Sequence, residues 1–171
     1  MRAHLALIAI VAALTASGTG CAQVNTKIVR SPAAPLAPGA FVLLVIDNPF
    51  PSRSGSERAA DDLVRGVARR LQRAAVRVQV TRIVPPEYAG HPCVVLQLER
   101  FRHVSARDRL WKGGFAGSAE LAVRVRVYEP GVAEPAAEAL VDSRTGTHGL
   151  AGTDEETIEA AIDRVSSFLL R

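Results

Sequence analysis

The segment around the only tryptophan is the part of this chain best supplied with residues that could bind another molecule. Residues 107–118 combine that tryptophan with a dense glycine cluster, and arginines precede them. An exposed aromatic ring beside guanidinium and ammonium groups suits a protein partner or a lipid headgroup. The side chains that would form such a site are Arg100, Arg102, Arg109, Trp111, Lys112 and Phe115.

The same segment also has a purely structural interpretation. Its glycines would permit positive φ angles or a bulge in a long hairpin, with Trp111 and Phe115 covering the edge of the core. A phosphate-binding loop fits less well, because such loops run from a strand into a helix and this segment runs into a strand. The sequence leaves the structural and the binding interpretations open.

Residues that could support catalysis are scattered along the chain without a recognisable motif. Cys93 opens an apolar run, in which a thiol packs as a small hydrophobic side chain. Asp142, Ser143 and His148 are close in sequence but lack the nucleophile elbow of a serine hydrolase. The histidines show none of the close spacings of zinc ligands. We therefore predict a protein that is not an enzyme and that has no metal and no cofactor.

Cys21 follows an N-terminal pattern of one arginine, an apolar stretch from Leu5 to Ala16 and four small residues. The stretch is shorter than the roughly 20 residues that a helix needs to cross a bilayer. The pattern resembles a bacterial lipoprotein signal, in which the cysteine thiol receives a diacylglycerol and the new amino terminus is acylated. This resemblance implies a signal peptide over residues 1–20 and lipid attachment at Cys21.

Ala22 and Gln23 follow the cysteine, where lipoproteins retained in the inner membrane carry aspartate. The expected location is therefore the periplasmic face of the outer membrane, and the alternative is cleavage after Ala22 to give a soluble periplasmic protein. With Cys21 lipidated, Cys93 has no disulfide partner. An exported chain with a formal net charge of +4 is not expected to meet nucleic acid. Its expected partners are the membrane, through the lipid, and an envelope protein, while its oligomeric state stays open. The alternative function is that of an accessory protein that binds or transports a lipid or a glycan.

Three prolines among small and polar residues predict an extended tether over residues 21–40. The rest of the chain, residues 41–171, has the length of one periplasmic domain.

Hydrophobic periodicity predicts seven elements within that domain. The strands alternate apolar and polar residues or are apolar throughout, and both helices carry an apolar stripe and begin with capping-box spacing, Ser54 with Glu57 and Thr153 with Glu156. The predicted strands are residues 41–46, 76–81, 93–104, 121–128 and 140–147, and the predicted helices are residues 54–74 and 153–169.

Two amphipathic helices can cover one face of a single sheet. The prediction is an α+β two-layer sandwich in the order β-α-β-β-β-β-α, with one mixed sheet of about five strands. The strands on either side of the first helix should be parallel, and the later ones should form antiparallel meanders.

The run from Arg109 through the glycine-rich turn to Tyr128 is similar to the signature of a family of uncharacterised bacterial lipoproteins defined by a domain of unknown function. More distantly, the element order looks like the periplasmic domains of lipoproteins that activate penicillin-binding proteins and of the curli secretion lipoprotein. Those relatives act by binding proteins. The resemblance implies the fold and a non-catalytic role, and it carries over no catalytic residue.

Overall fold

The computed structural model describes residues 22–82, 90–104, 111, 117–145 and 154–171. Six strands and two long helices make up this part of the chain. In chain order they are β1 (Gln23–Arg30), β2 (Phe41–Asp47), α1 (Ser56–Arg73), β3 (Arg77–Thr81), β4 (Cys93–Arg102), β5 (Glu120–Tyr128), β6 (Ala137–Arg144) and α2 (Asp154–Leu169).

All six strands form one mixed sheet in the order β1-β6-β5-β4-β2-β3. β2 pairs parallel with both β3 and β4, whereas the pairs β4–β5, β5–β6 and β6–β1 are antiparallel. The parallel β2-α1-β3 unit needs the crossover helix, and the meander needs only short connections. The predicted α+β class and its two-layer arrangement are confirmed.

The core lies between the sheet and the helices, because each element presents one apolar face to it. β5 shows this most simply: Leu121, Val123 and Val125 point inward and are at most 1% exposed, while Arg124 and Arg126 lie on the other side. β2 is buried on both faces from Val42 to Ile46, as its uninterrupted apolar run predicts. We call the sheet surface away from the helices the open face.

The two helices run in the same direction and pack closely at Gly66. A Cβ atom on this residue would lie 2.2 Å from Cδ1 of Ile162, so only glycine permits the observed contact. The capping box predicted at Ser54 and Glu57 is wrong, because α1 begins at Ser56 behind Gly55, whose φ is 79°. Glu57 accepts a hydrogen bond from Asn48 Nδ2 instead, at 3.2 Å. Thr153, of the second predicted box, lies outside the described residues.

The N-terminal tether contains the sixth strand, which the sequence analysis missed. Within residues 21–40, β1 pairs along β6, and its residues Val24, Thr26 and Ile28 face the helix side opposite buried β6 residues. The three prolines follow β1, so none of them removes a hydrogen-bond donor from it. The sheet of the domain therefore begins at Gln23 and not at residue 41.

The rest of the predicted tether crosses the C-terminal ends of both helices. Leu36 N–H donates to the carbonyl of Leu169 at 3.0 Å, and Gly39 N–H donates to the carbonyl of Ala75 at 2.8 Å. Carbonyls in the last turn of a helix lack partners within it, and Leu36 supplies one to Leu169, while Gly39 binds the residue just after the C-cap of α1. Residues 31–40 thus pack against the domain as a strap.

Two strands also differ in detail from the prediction. β4 carries a bulge between Leu98 and Arg100, which moves the buried position from even to odd residues, so that Phe101 is buried. β6 begins at Ala137, three residues early, because alanines fill its inward positions and give a weak hydrophobic signal. No helix in the described ranges is long and apolar enough to span a membrane.

Candidate functional site

One end of the sheet holds the start of β1 together with the two strand ends, Arg102 and Glu120, between which the tryptophan segment lies in the sequence. Gln23 pairs with Arg144, Arg144 pairs with Glu120, and Glu120 pairs with Arg102. This row crosses four adjacent strands, so the Cα atoms of Gln23 and Arg102 are about 14 Å apart. We call it the Gln23 end. Trp111 belongs to the connection that leaves the sheet at Arg102 and returns at Glu120.

Trp111 is 79% exposed. The expectation that it covers the edge of the core is therefore wrong, and the described side chains leave the indole facing solvent. Large aromatic side chains are usually well buried, and an exposed one is a common feature of binding surfaces. Of the other predicted site residues, Arg109, Lys112 and Phe115 lie outside the described residues, as does Cys21.

Of the predicted site arginines that the structure describes, Arg102 is the one that remains available to a ligand at the Gln23 end. Its guanidinium lies over Gly117, where a Cβ atom would come within 2.7 Å of Nη2, and Gly117 has a φ of 79° that favours glycine. Arg102 forms no ion pair with any described residue. It can therefore offer its donors to a bound molecule.

Arg100, in contrast, is engaged within the sheet. Its guanidinium contacts Asp142 on β6 at 3.4 Å and Glu120 at 3.7 Å. The small residue Ala122 lies between them in the register of β5, which allows Arg100 to reach across that strand. The structure therefore assigns Arg100 to sheet pairing.

The open face carries further ion pairs across β4, β5 and β6. Arg124 donates to Glu99 at 2.5 Å and to Glu138 at 2.6 Å, so one guanidinium joins three strands. These hydrogen bonds raise the pKa of Arg124 and lower the pKa of Glu138. Charges of both signs alternate here, which makes this surface a poor platform for a partner of one charge.

The residues considered for catalysis do not converge. Burial raises the pKa of the Cys93 thiol, which disfavours the reactive thiolate. Ser143 points into the core with a buried hydroxyl that has no hydrogen-bond partner, whereas Asp142 lies on the open face. His148 lies outside the described residues. Within the described ranges, no group of three metal-ligating side chains comes together.

His103 and Asp154 form a contact that sequence spacing did not suggest. The imidazole Nδ1 contacts the carboxylate of Asp154, the first residue of α2, and Val104 N–H donates to the same carboxylate at 3.3 Å. The contact joins the end of β4 to the start of α2. No nucleophile among the described residues accompanies the pair.

Two surface grooves flank the last turns of α2. The wider one, of about 690 Å³, lies between α1 and α2 and is lined by Arg73, Asp163 and the buried, unpartnered hydroxyl of Ser166. The narrower one, of about 270 Å³, lies between β1 and α2. Neither groove was predicted from the sequence. The narrower one depends on β1, which was not predicted as a strand.

No family model matches the chain, and no curated protein does. Among solved structures, the chain resembles PelC dodecamers from Paraburkholderia phytofirmans. The likeness has a TM-score of 0.55 at 14% identity for one crystal form and at 15% for another, and it covers 87% of this chain and 99% of PelC. A neuraminyllactose-binding hemagglutinin homolog from Helicobacter pylori aligns over 81% of this chain at a TM-score of 0.37 and 12% identity.

The likeness to PelC defines a class of fold. That class is a single mixed sheet with two helices on one face, and at these identities it is the fold alone that is shared.

Proposed function

We propose that this chain is a non-enzymatic envelope lipoprotein that is anchored to the outer membrane through Cys21 and binds an envelope protein through the Gln23 end of its sheet. Arg102 and Trp111 are the described residues that make the contact, and Arg109, Lys112 and Phe115 extend it. The proposal keeps the non-catalytic role that the lipoprotein resemblance implies.

The observation that carries this proposal is the exposed indole of Trp111, in a connection that leaves and rejoins the sheet at the end where β1 starts. Cys21 is two residues from Gln23, so its Cα lies within about 8 Å of the first residue of the sheet. A lipid on Cys21 would bring the Gln23 end, where the connection that contains Trp111 begins and ends, to the membrane surface. A partner that meets Trp111 there is a protein embedded in, or lying on, the same membrane.

A second copy of the chain is one form that this partner can take. The PelC structures with the same fold are dodecamers. An oligomer of identical chains would also place several lipid anchors on one membrane.

Two measurements on protein from native envelopes test the proposal. Intact mass should show a triacylated chain that begins at Cys21, and a mass that begins at Gln23 without lipid would contradict the anchor. A photo-crosslinker at position 111 should then capture one dominant envelope protein or a second copy of the chain.

The matched control places the same crosslinker at position 132. Val132 is 47% exposed in the turn after β5, about 27 Å along that strand from the Gln23 end. Equal capture from both positions would contradict a site at the Gln23 end. Capture of lipid alone from position 111 would replace the protein partner by the membrane.

A further inference from the structure

The groove between β1 and α2 exists because the sheet is wider than the helix layer. The outermost strands of six are about 24 Å apart, whereas two packed helices cover about 20 Å. β1 therefore overhangs α2. Ile28, which pairs with the buried Ala139 and faces the helix side, remains 56% exposed as a result.

One wall of this groove carries positive charge that the protein does not neutralise. Arg164 on α2 and Arg171, two residues beyond the end of α2, both line the groove. Neither has an ion-pair partner among the described residues, and the described lining includes no acidic side chain. The nearby Arg70, in contrast, contacts both Glu159 and Asp163. A groove with two free guanidinium groups selects an anion.

The remaining lining combines hydroxyls with apolar surface. Thr26 and Ser167 supply the hydroxyls. The exposed Ile28 and the buried Phe168 supply apolar carbon. The volume of about 270 Å³ equals that of about nine water molecules. This space accommodates an anionic group and a few carbons attached to it, but not a whole acyl chain.

We propose that this groove binds the phosphate headgroup of an amphiphile. Arg164 and Arg171 hold the phosphate oxygens, because guanidinium groups bind phosphate through paired hydrogen bonds. Ile28 and Phe168 contact the first carbons beyond the phosphate. The site is separate from the proposed protein contact, since Ile28 lies about 16 Å along β1 from Gln23.

Calorimetric titration of the full chain with dihexanoyl phosphatidic acid, below its critical micelle concentration, tests the proposal. We expect saturable binding, and inorganic phosphate should bind at least about tenfold more weakly because it lacks the carbon chain. Arg164→Gln and Arg171→Gln should each weaken binding of the lipid about tenfold or more. Ile28→Ser should weaken the lipid but leave inorganic phosphate unchanged.

Arg69→Gln is the matched control. Arg69 is an exposed arginine of α1 without an ion-pair partner among the described residues, and it does not line the groove. Its removal should leave binding unchanged, and all variants should keep the thermal midpoint. Absence of lipid binding, or equal loss in Arg69→Gln and Arg164→Gln, would overturn the proposal. Equal affinity for lipid and inorganic phosphate would reduce the groove to a site for small anions and would also overturn it.

Discussion

Cys93 and Trp111, the two residues with the most obvious chemistry, differ in their accessibility to solvent. Cys93 is 9% exposed and starts β4, whereas Trp111 is 79% exposed in the connection that follows β4. Reactivity requires both a thiolate and access to it. Burial raises the pKa of the Cys93 thiol and covers it, so Cys93 meets neither requirement.

Cys93 should accordingly react slowly with thiol reagents. In the Cys21→Ser chain it is the only thiol, and we expect alkylation of the native protein to be slower than that of the unfolded chain by about a hundredfold or more, because reaction must await local opening. Rates followed by mass spectrometry with and without denaturant measure this ratio. Comparable rates would show that the thiol is accessible in the folded protein.

Glu138 should contribute pH-dependent stability. Its hydrogen bonds with Arg124 lower its pKa in the folded state, so the contribution is present above the unfolded pKa of about 4.3 and is lost as the pH falls through the folded value. Glu138→Gln should reduce the free energy of unfolding by about 1 kcal/mol at pH 7, and the difference from wild type should shrink below pH 4.

Denaturant titrations at several pH values measure that difference. Glu134→Gln is the control, because Glu134 is 84% exposed and its carboxylate is 4.0 Å from Arg30. A pH-independent deficit in Glu138→Gln would mean that the carboxylate charge is not what stabilises the sheet.

At the scale of elements, the contact between the helices depends on one position without a side chain. Gly66→Ala should improve helix propensity by about 1 kcal/mol, yet it places a methyl group against the buried Ile162. Overpacking of this kind costs about 1–3 kcal/mol. We expect the substitution to lower the thermal midpoint.

Ile162→Val should restore part of that loss in the Gly66→Ala background, because it removes the Cδ1 atom that is nearest. Gly90→Ala is the control, since nothing lies within 4 Å of a Cβ atom there. A higher midpoint for Gly66→Ala would contradict the close packing of α1 on α2.

The sequence allowed the element order to be predicted because most elements carry their own periodicity. The stripe of α1 and the alternation of β5 need no knowledge of distant residues. β1 is different: its partner β6 lies more than a hundred residues away, and one edge of β1 is unpaired in the described sheet. A half-exposed edge strand next to prolines gives only a weak local signal, and the prolines favour the prediction of a tether.

The candidate site was predictable in composition but not in geometry. Residue types drew attention to Arg100, Arg102 and Trp111, yet the pairing of Arg100 with Asp142 follows from strand register across β5. Exposure of Trp111 likewise depends on what the fold leaves uncovered. Neither the pairing of Arg100 with Asp142 nor the exposure of Trp111 can be inferred from neighbouring residues in the sequence.

At the scale of the whole molecule, the two ends of the sheet hold different parts of the chain. The Gln23 end holds the start of β1 and the strand ends that flank the tryptophan segment, while the strap over residues 31–40 and the C-terminal ends of both helices lie at the other end. A lipid on Cys21 would orient the domain with the first end toward the membrane. The groove between β1 and α2 would then lie away from the membrane surface.

The most direct test of the account is the affinity of the captured partner for three purified proteins: wild type, Trp111→Ala and Val132→Ala. An exposed aromatic residue at the centre of an interface contributes about 2 kcal/mol or more, so Trp111→Ala should weaken binding by about thirtyfold without changing the thermal midpoint. Val132→Ala should bind as wild type does. Unchanged affinity in Trp111→Ala, together with a lowered midpoint, would contradict the account and assign the indole a structural role.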